Sequence, residues 1–331
     1  MKQLPADPAL SLAEGWQRGF PLTPAPYAAI GQPAELTQRE VIEMLATLRE
    51  TGILARIGAA VTPNTAGAST LAALAAPPRR LAEVAAMVSD EAAVNHNYER
   101  EHDLNLWFVV TAAARAEVDA TLARIARRAG LEVLDLPLEY AYHIDLGFPL
   151  HGAAEKRHPC KPADAAAAAD DDDRRLLAAL EPGLPLTPRP YYDLARYLGW
   201  SEAKLMARLS QLIEIGIVAR FGCILRHRKL GFTANAMAVW NVPDDRVDEI
   251  AGRLAARSGI TLCYRRTRRP PVWPYNLFAM VHGRERPQVL ASLAGAELAT
   301  GLSVCDGAVL FSRRCFKQAG ARFAPLQRGA A

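Results

Sequence analysis

The chain has 331 residues, half of them hydrophobic, with 39 Lys or Arg against 35 Asp or Glu and a formal net charge of +4. Such a chain is long enough for two or more cores and has the charge fraction of an ordinary soluble globular protein. A net charge this small, spread over both halves, does not itself predict a polyanionic partner, so only local clusters such as Arg265, Arg266, Arg268 and Arg269 can carry that role.

The amino-terminal stretch MKQLPADPALSLAEGW lacks the basic region and continuous apolar segment of a secretory signal. No run approaches the roughly 20 apolar residues of a membrane span. A soluble cytoplasmic protein with no membrane contact is expected. Cys160, Cys223, Cys263, Cys305 and Cys315 are scattered and form no CxxC pair, so reduced, mostly buried thiols are expected rather than a disulfide framework or a structural zinc site. HExxH, GxxxxGK[ST] and GxGxxG are absent.

Read in chain order, the first element is half of a repeat. PLTPAPY at 21–27 returns as PLTPRPY at 185–191, and GILARIG at 52–58 returns as GIVARFG at 216–222, at one constant offset. Residues 1–62 form a first helix-turn-helix domain, whose stretch ELTQREVIEMLATLRE carries Glu35, Glu40, Glu43 and Glu50. Residues 63–150 follow as a mixed α/β domain containing NHNYEREHDLNLWFVV. There Asn95 to Arg100 and Asp103 to Val110 read as two strands, with Glu101 and His102 near the turn. Alternation puts His96, Tyr98 and Arg100 on one face, and Asn105, Trp107 and Val109 on a face of the next strand.

Residues 151–170 combine Pro, an alanine tract and the start of four consecutive aspartates, and read as a solvated linker. The second helix-turn-helix domain, 171–226, contains three short amphipathic segments, DRRLLAAL, RPYYDLARYLG and SEAKLMARLSQLIEIG, with Ser201 as cap and Gly216 as stop. From 227 to 320 the order is βαββαβ, followed by a tail at 321–331. In the second copy Tyr264, Arg266, Asn276 and Leu277 match Tyr98, Arg100, Asn105 and Leu106, across a longer hairpin rich in Pro and Arg.

The fold class expected is therefore α+β: a tandem repeat of helix-turn-helix and ferredoxin-like βαββαβ domains. Each four-stranded sheet has one face without helices. The two copies are expected to cover each other as an intramolecular pseudo-dimer, with a cavity lined by both; a further homo-oligomer stays open.

A helix-turn-helix followed by βαββαβ resembles the Lrp/AsnC regulators over nearly the whole of each copy. The segments HRKLGFTANAMAVWNVP, CYRR…WPYNLFAMVHG and NHNYEREHDLNLWF resemble more closely the sirohaem decarboxylases, Lrp-like proteins of haem d1 biosynthesis, the pathway tied to denitrification, in which two related subunits pair. This chain looks like such a pair fused end to end. The resemblance implies loss of CO2 from the C12 and C18 acetates of sirohaem, giving 12,18-didecarboxysirohaem. It implies no cofactor and no intrinsic metal, because the iron belongs to the substrate. The substrate's ring accepts electron density, leaving the protein to supply position, charge and a proton.

Under that resemblance His96 and His102 are the candidate catalytic residues. His96 matches Leu262 in the second copy, so the residue pattern alone fits a core position as well as a site. Tyr98, Arg100, Asn105, Trp107, Tyr264, Arg265, Arg266, Arg268, Trp273, Tyr275 and Asn276 are candidates for binding sirohaem or a related iron tetrapyrrole: guanidinium forks suit carboxylates, and rings suit the macrocycle. His143 and His227 are candidates to ligate the substrate's iron or to support the groups around it. NHNYEREH stands where the second copy has TLCYRRTR, so proton chemistry is expected from copy one.

Two alternatives remain open at this level: a DNA-binding regulator and a non-catalytic tetrapyrrole carrier. The second recognition helix offers only Lys204 and Arg208 beside Glu202 and Glu214, and the first is acidic. Little or no DNA binding is expected from helices read as retained scaffold.

Overall fold

The computed structural model describes residues 7–144 and 168–320. Copy one contains α1 (Pro8–Gly15), α2 (Pro26–Gly31), α3 (Gln38–Glu50), β1 (Leu54–Val61), β2 (Ala68–Leu74), α4 (Leu81–Asp90), β3 (Val94–Arg100), β4 (Leu106–Ala112), α5 (Arg115–Ala129) and β5 (Leu134–Ile144). Copy two repeats the series with α6 (Asp171–Ala179), α7 (Pro190–Leu198), α8 (Glu202–Glu214), β6 (Val218–Leu225), β7 (Ala234–Trp240), α9 (Val247–Ala255), β8 (Ile260–Arg266), β9 (Leu277–Gly283), α10 (Arg286–Thr300) and β10 (Gly307–Gln318). These elements gather into two compact units, residues 1–65 with 146–231 and residues 66–145 with 232–331, each built from corresponding parts of both copies.

In the first unit the repeat meets itself. The GILARIG and GIVARFG segments supply β1 and β6, which pair antiparallel with Gly58 opposite Gly222. The tyrosine of each PLTPxPY motif donates to the other motif's first proline: Tyr27 Oη to the Pro185 carbonyl at 2.6 Å, and Tyr191 Oη to that of Pro21 at 2.7 Å. Burial raises both phenol pKa values, so both remain protonated donors.

Local capping sets the helix starts. Thr37 and Glu40 form a reciprocal capping box on α3, and Ser201 Oγ accepts the Lys204 amide at the start of α8, whose end is followed by Gly216 at φ +78°. The aspartate run is not all linker. Asp170 caps α6 in a box with Asp173, and Asp173 is buried, because its carboxylate takes the Arg208 guanidinium at 2.6 Å. The remainder of the 151–170 linker up to residue 167, with Cys160, and the 321–331 tail lie outside the described residues. Cys223 and Cys263 are buried as expected, whereas Cys315 is exposed.

The second unit is a closed eight-stranded barrel in the order β10-β3-β4-β2-β5-β8-β9-β7. Each βαββαβ copy contributes four neighbouring strands, and the last strand of each is long enough to serve two partners. β5 pairs with β2 through Leu134–Pro137 and with β8 through Leu138–Ile144. β10 pairs with β7 through Gly307–Phe311 and with β3 from Ser312 onward. The expected face-to-face pair of sheets is thus also joined edge to edge, which leaves no open strand.

Alternation sorts the side chains. Leu106, Phe108 and Val110 pack under α4 and α5, and Leu277, Ala279 and Val281 under α9 and α10. The residues between them, Trp107 and Phe278 among others, face inward with Leu136, Met237, Trp273 and Leu310 to fill the barrel. The second hairpin strand starts at Leu106 rather than Asp103, because Arg100 N already bonds the Asn105 carbonyl and closes the turn there.

Gly222 lies where the chain after α1 crosses β6: an added Cβ would sit 2.4 Å from the Gln17 carbonyl oxygen, whereas at Gly58 its nearest neighbour is the flexible Arg56 side chain at 3.3 Å. Gly222→Ala is expected to cost ~1–3 kcal/mol and Gly58→Ala far less. Equal urea midpoints for the two variants would contradict that packing.

Candidate functional site in the barrel

The inward faces of β3 and β8 carry equivalent groups from the two copies. His96, Tyr98 and Arg100 lie on β3, with Tyr98 opposite Trp107 and the His96 and Tyr98 rings stacked at 6.3 Å. Tyr264 and Arg266 lie on β8, where Leu262 stands in the place of His96. Arg100 Nη1 donates to the Leu310 carbonyl at 3.1 Å, and Arg266 Nη1 to the Leu136 carbonyl at 2.8 Å, so each arginine bonds the other copy's last strand. Each guanidinium lies over its own copy's tyrosine, at 5.8 Å and 5.4 Å. Burial pushes Arg266 down to about 10, which still leaves it charged at neutral pH.

Trp273 is the centre of an aromatic cluster. Fully buried, it packs against Trp107 and Tyr275 at 4.9 Å each and against Phe278 at 6.1 Å. Trp107 Nε1 donates to the Leu104 carbonyl, while Trp273 Nε1 and Arg266 Nε are buried without an acceptor among the described residues. These are N–H donors only, so acceptor groups on a ligand would complete them.

His102 meets the same cluster edge-on, 5.4 Å from Trp273. Its Nδ1 accepts the Leu104 amide at 3.0 Å, which places the ring proton of the neutral form on Nε2. Burial lowers its pKa, against a smaller opposing effect of Asp103. Protonation at Nδ1 would break the backbone bond. The geometry therefore makes His102 a neutral Nε2–H donor rather than a proton reservoir.

Other candidates stand elsewhere for identifiable reasons. Asn105 and Asn276 have structural partners: Asn105 accepts from the Ala76 amide and donates to its carbonyl, both at 2.9 Å, and Asn276 does the same with Val242 at 2.9 and 3.0 Å. The repeat preserves a clamp on the segments that follow β2 and β7, so both amides have structural partners. Arg265 alternates outward from Arg266 and pairs with Glu139 at 2.8 Å and Asp248 at 3.5 Å, beside an outer cleft shared with Tyr140 and Tyr142. Arg268 is held by Asp244 at 2.6 Å, Asn241 and the Pro274 and Val242 carbonyls, and so braces the WPYNL turn. His143 is buried at a bulge of β5 opposite Cys263. His227 belongs to the helix-turn-helix unit, where burial and then Arg228 bring its pKa down to about 4.

One inward residue, His282, lies outside the hairpin motifs. His282, the penultimate residue of β9, is in step with Phe278 and Met280, so the histidines are not restricted to copy one. The signal was present in LFAMVHG, where alternate positions pack under the helices and His282 falls on the other set.

Fold and site define a duplicated AsnC-like ligand-binding protein carrying helix-turn-helix domains. The profile described as "AsnC-like ligand binding domain" matches residues 66–143 and 229–317, and "Siroheme decarboxylase NirDL-like HTH domain" matches 14–54 and 173–218. The siroheme decarboxylase NirDL subunit of Paracoccus denitrificans (strain Pd 1222) is 45% identical over 317 residues, 96% of this chain and 97% of that one. The siroheme decarboxylase of Hydrogenobacter thermophilus (strain DSM 6534 / IAM 12695 / TK-6) is 30% identical, covering 91% and 90%. A crystal structure of the siroheme decarboxylase NirDL in co-complex with an iron-uroporphyrin III analogue has a TM-score of 0.66 at 27% identity, covering 96% of this chain and 93% of that one. The chain belongs to the sirohaem decarboxylase family, with the two related subunits fused.

The double variant Asn105→Ala, Asn276→Ala leaves backbone amide and carbonyl groups unmet in each copy, at about 1–3 kcal/mol per site. It is expected to lower the melting temperature while the folded protein keeps its tetrapyrrole affinity; a selective loss of affinity with unchanged stability would return both residues to the binding face.

Proposed function

We propose that this protein removes CO2 from the C12 and C18 acetates of sirohaem, giving 12,18-didecarboxysirohaem. The observation that carries the reading is the barrel interior: guanidinium groups from both copies, ring surfaces and buried N–H donors turn toward one another inside a closed sheet. A macrocycle edged with carboxylates supplies acceptors for Arg266 Nε and Trp273 Nε1, and low-polarity walls strengthen each contact. The match to a relative solved with an iron-uroporphyrin analogue supports the same class of ligand.

Decarboxylation needs little else. Arg100 and Arg266 hold carboxylates that stay, the apolar wall strips water from the one that leaves, and the electron pair released from the C–CO2 bond is delocalised into the substrate ring. A proton then completes each methyl group; the position of His96 on the inward face of β3 supports it as a donor. The proposal requires no cofactor, because the iron and the electron sink arrive with the substrate.

A regulator role is disfavoured by the partners of the recognition helix. Lys204 pairs with Asp172 at 3.2 Å, and Arg208 with Asp170 and Asp173 at 2.6 Å each. Cations already neutralised by protein aspartates release few counterions on meeting DNA, so binding there is weak and lost at physiological salt. Among the described residues, no helix is long and apolar enough to cross a membrane.

Anaerobic incubation of the pure protein with sirohaem, followed by mass analysis, is expected to show two successive losses of CO2. His96→Ala should keep the Soret perturbation of the bound tetrapyrrole and lose about 10²- to 10⁴-fold in rate. Binding without any CO2 release by the wild type would favour a carrier, and tight retention of a promoter fragment at physiological salt would favour a regulator.

A further inference from the structure

We propose that the charges along the two barrel seams select the partner of each copy. Copy one accepts copy two and rejects another copy one, and copy two likewise rejects its like, so the fused chain closes on itself instead of exchanging halves with a second chain. The selection holds whatever chemistry the interior performs.

Most contacts between the copies have no such preference. In the helix-turn-helix unit the motifs bond reciprocally, Tyr27 to Pro185 and Tyr191 to Pro21, and Gly58 lies opposite Gly222. Two identical copies would make the same bonds. In the barrel, Arg100 donates to Leu310 and Arg266 to Leu136, again through equivalent groups. Backbone pairing of this kind is blind to which copy supplies the partner.

The seam charges are not. Arg266 lies opposite Leu138 as Arg100 lies opposite Ser312, and Tyr264 opposite Ala141 as Tyr98 opposite Cys315. This shared register makes Glu139 and Tyr140 of β5 the counterparts of Arg313 and Arg314 of β10, and Arg265 of β8 the counterpart of Glu99 of β3. The signs are exchanged between the seams. Where β5 meets β8, the central strand supplies the cation: Arg265 Nε lies 2.8 Å from Glu139, and its Nη1 3.5 Å from Asp248. Where β10 meets β3, the central strand supplies the anion: Glu99 accepts from Arg314 and lies 3.9 Å from Arg313. Glu101 extends this second seam, with Arg286 at 2.7 Å and Arg313 at 3.4 Å. Its counterpart is the uncharged Thr267, since the two backbone amides bond the equivalent Phe311 and Pro137 carbonyls.

Like pairing brings equal signs together. Two first copies would set Glu139 of one chain beside Glu99 of the other, with Glu101 next to them and no arginine from β5. Arg115, which opens α5 as Arg286 opens α10, is already held by Asp119 and Asp135 of its own copy. Two second copies would set Arg313 and Arg314 beside Arg265 and lose both Glu99 and Glu101. The carboxylates that remain there, Asp244 and Asp248, already serve Arg268 and Arg265. Solvent-screened ion pairs add little stability by themselves, whereas like charges across a strand pair destabilise it, so the seams select mainly by rejection. The barrel that results keeps His96 on one inner strand and Leu262 at the matching place on the other.

Charge reversal on the two long strands of the full chain tests this. In the triple variant Glu139→Arg, Arg313→Glu, Arg314→Glu, a cation meets Arg265 and anions meet Glu99, the encounters of like pairing. The side chains replaced are 39%, 61% and 55% exposed, so the core is untouched. The control Glu139→Gln, Arg313→Gln, Arg314→Gln removes the charges without reversing them. At low salt the control should unfold in urea close to the wild type, and the reversed chain should have a folding equilibrium at least about tenfold poorer than the control. The gap should close at about 1 M salt, where the Debye length is roughly 3 Å. Folded reversed chains should exchange halves, giving particles heavier than the wild type by light scattering. A reversed chain that folds only when salt is added, while the control folds without it, would support the same conclusion. Equal urea midpoints for the reversed and neutral chains, a gap that salt does not close, or a folded reversed chain of wild-type particle mass at low salt would overturn the proposal.

Discussion

The closure of the barrel depends on two seams at which the copies join, β5 to β8 and β10 to β3. A four-stranded βαββαβ sheet standing alone would expose an apolar face and two unpaired edges. Here the extra length of each final strand pairs the edges, and Arg100 and Arg266 tie the seams by donating to Leu310 and Leu136 of the opposite copy. The same arginines supply positive charge to the interior. The same guanidinium groups thus tie the seams and charge the interior, which couples the make-up of the interior to formation of the pseudo-dimer.

That coupling shapes the electrostatics. Burial costs Arg266 part of its basicity, but about 10 remains far above neutral pH. Among the described residues it forms no ion pair. Charge held in a low-polarity enclosure attracts anions more strongly than charge on a surface. The outward Arg265, one residue away, shows the contrast: Glu139 and Asp248 already balance it. Strand alternation alone decides which of two adjacent arginines joins the site.

Much of this was legible in the sequence because repeats, caps and strand period are local signals. The shared PLTPxPY and GIxARxG motifs located both copies, and Ser201 and Gly216 bracketed α8 as expected. What was not legible required partners distant in sequence. Asn105 and Asn276 recur in both copies, and recurrence reads equally as function or scaffold until the Ala76 and Val242 backbones appear beside them. The four aspartates resembled a solvated tract because their cation, Arg208, lies on another helix. His282 was legible in principle, since alternation along LFAMVHG places it inward, but it lies outside the hairpin residues that the two copies share.

The helix-turn-helix unit satisfies much of its charge internally. Capping of α6 by Asp170 and Asp173 stabilises the helix start, and the same carboxylates bind Arg208 on α8. Each of these ion pairs neutralises a cation of α8, so stabilising the scaffold and binding phosphate compete for the same side chains. On α3, Glu40 completes a capping box and Glu43 holds Arg39 at 2.7 Å, so that helix too uses charge for its own stability. Both α3 and α8 thus use charged groups for contacts within their own unit.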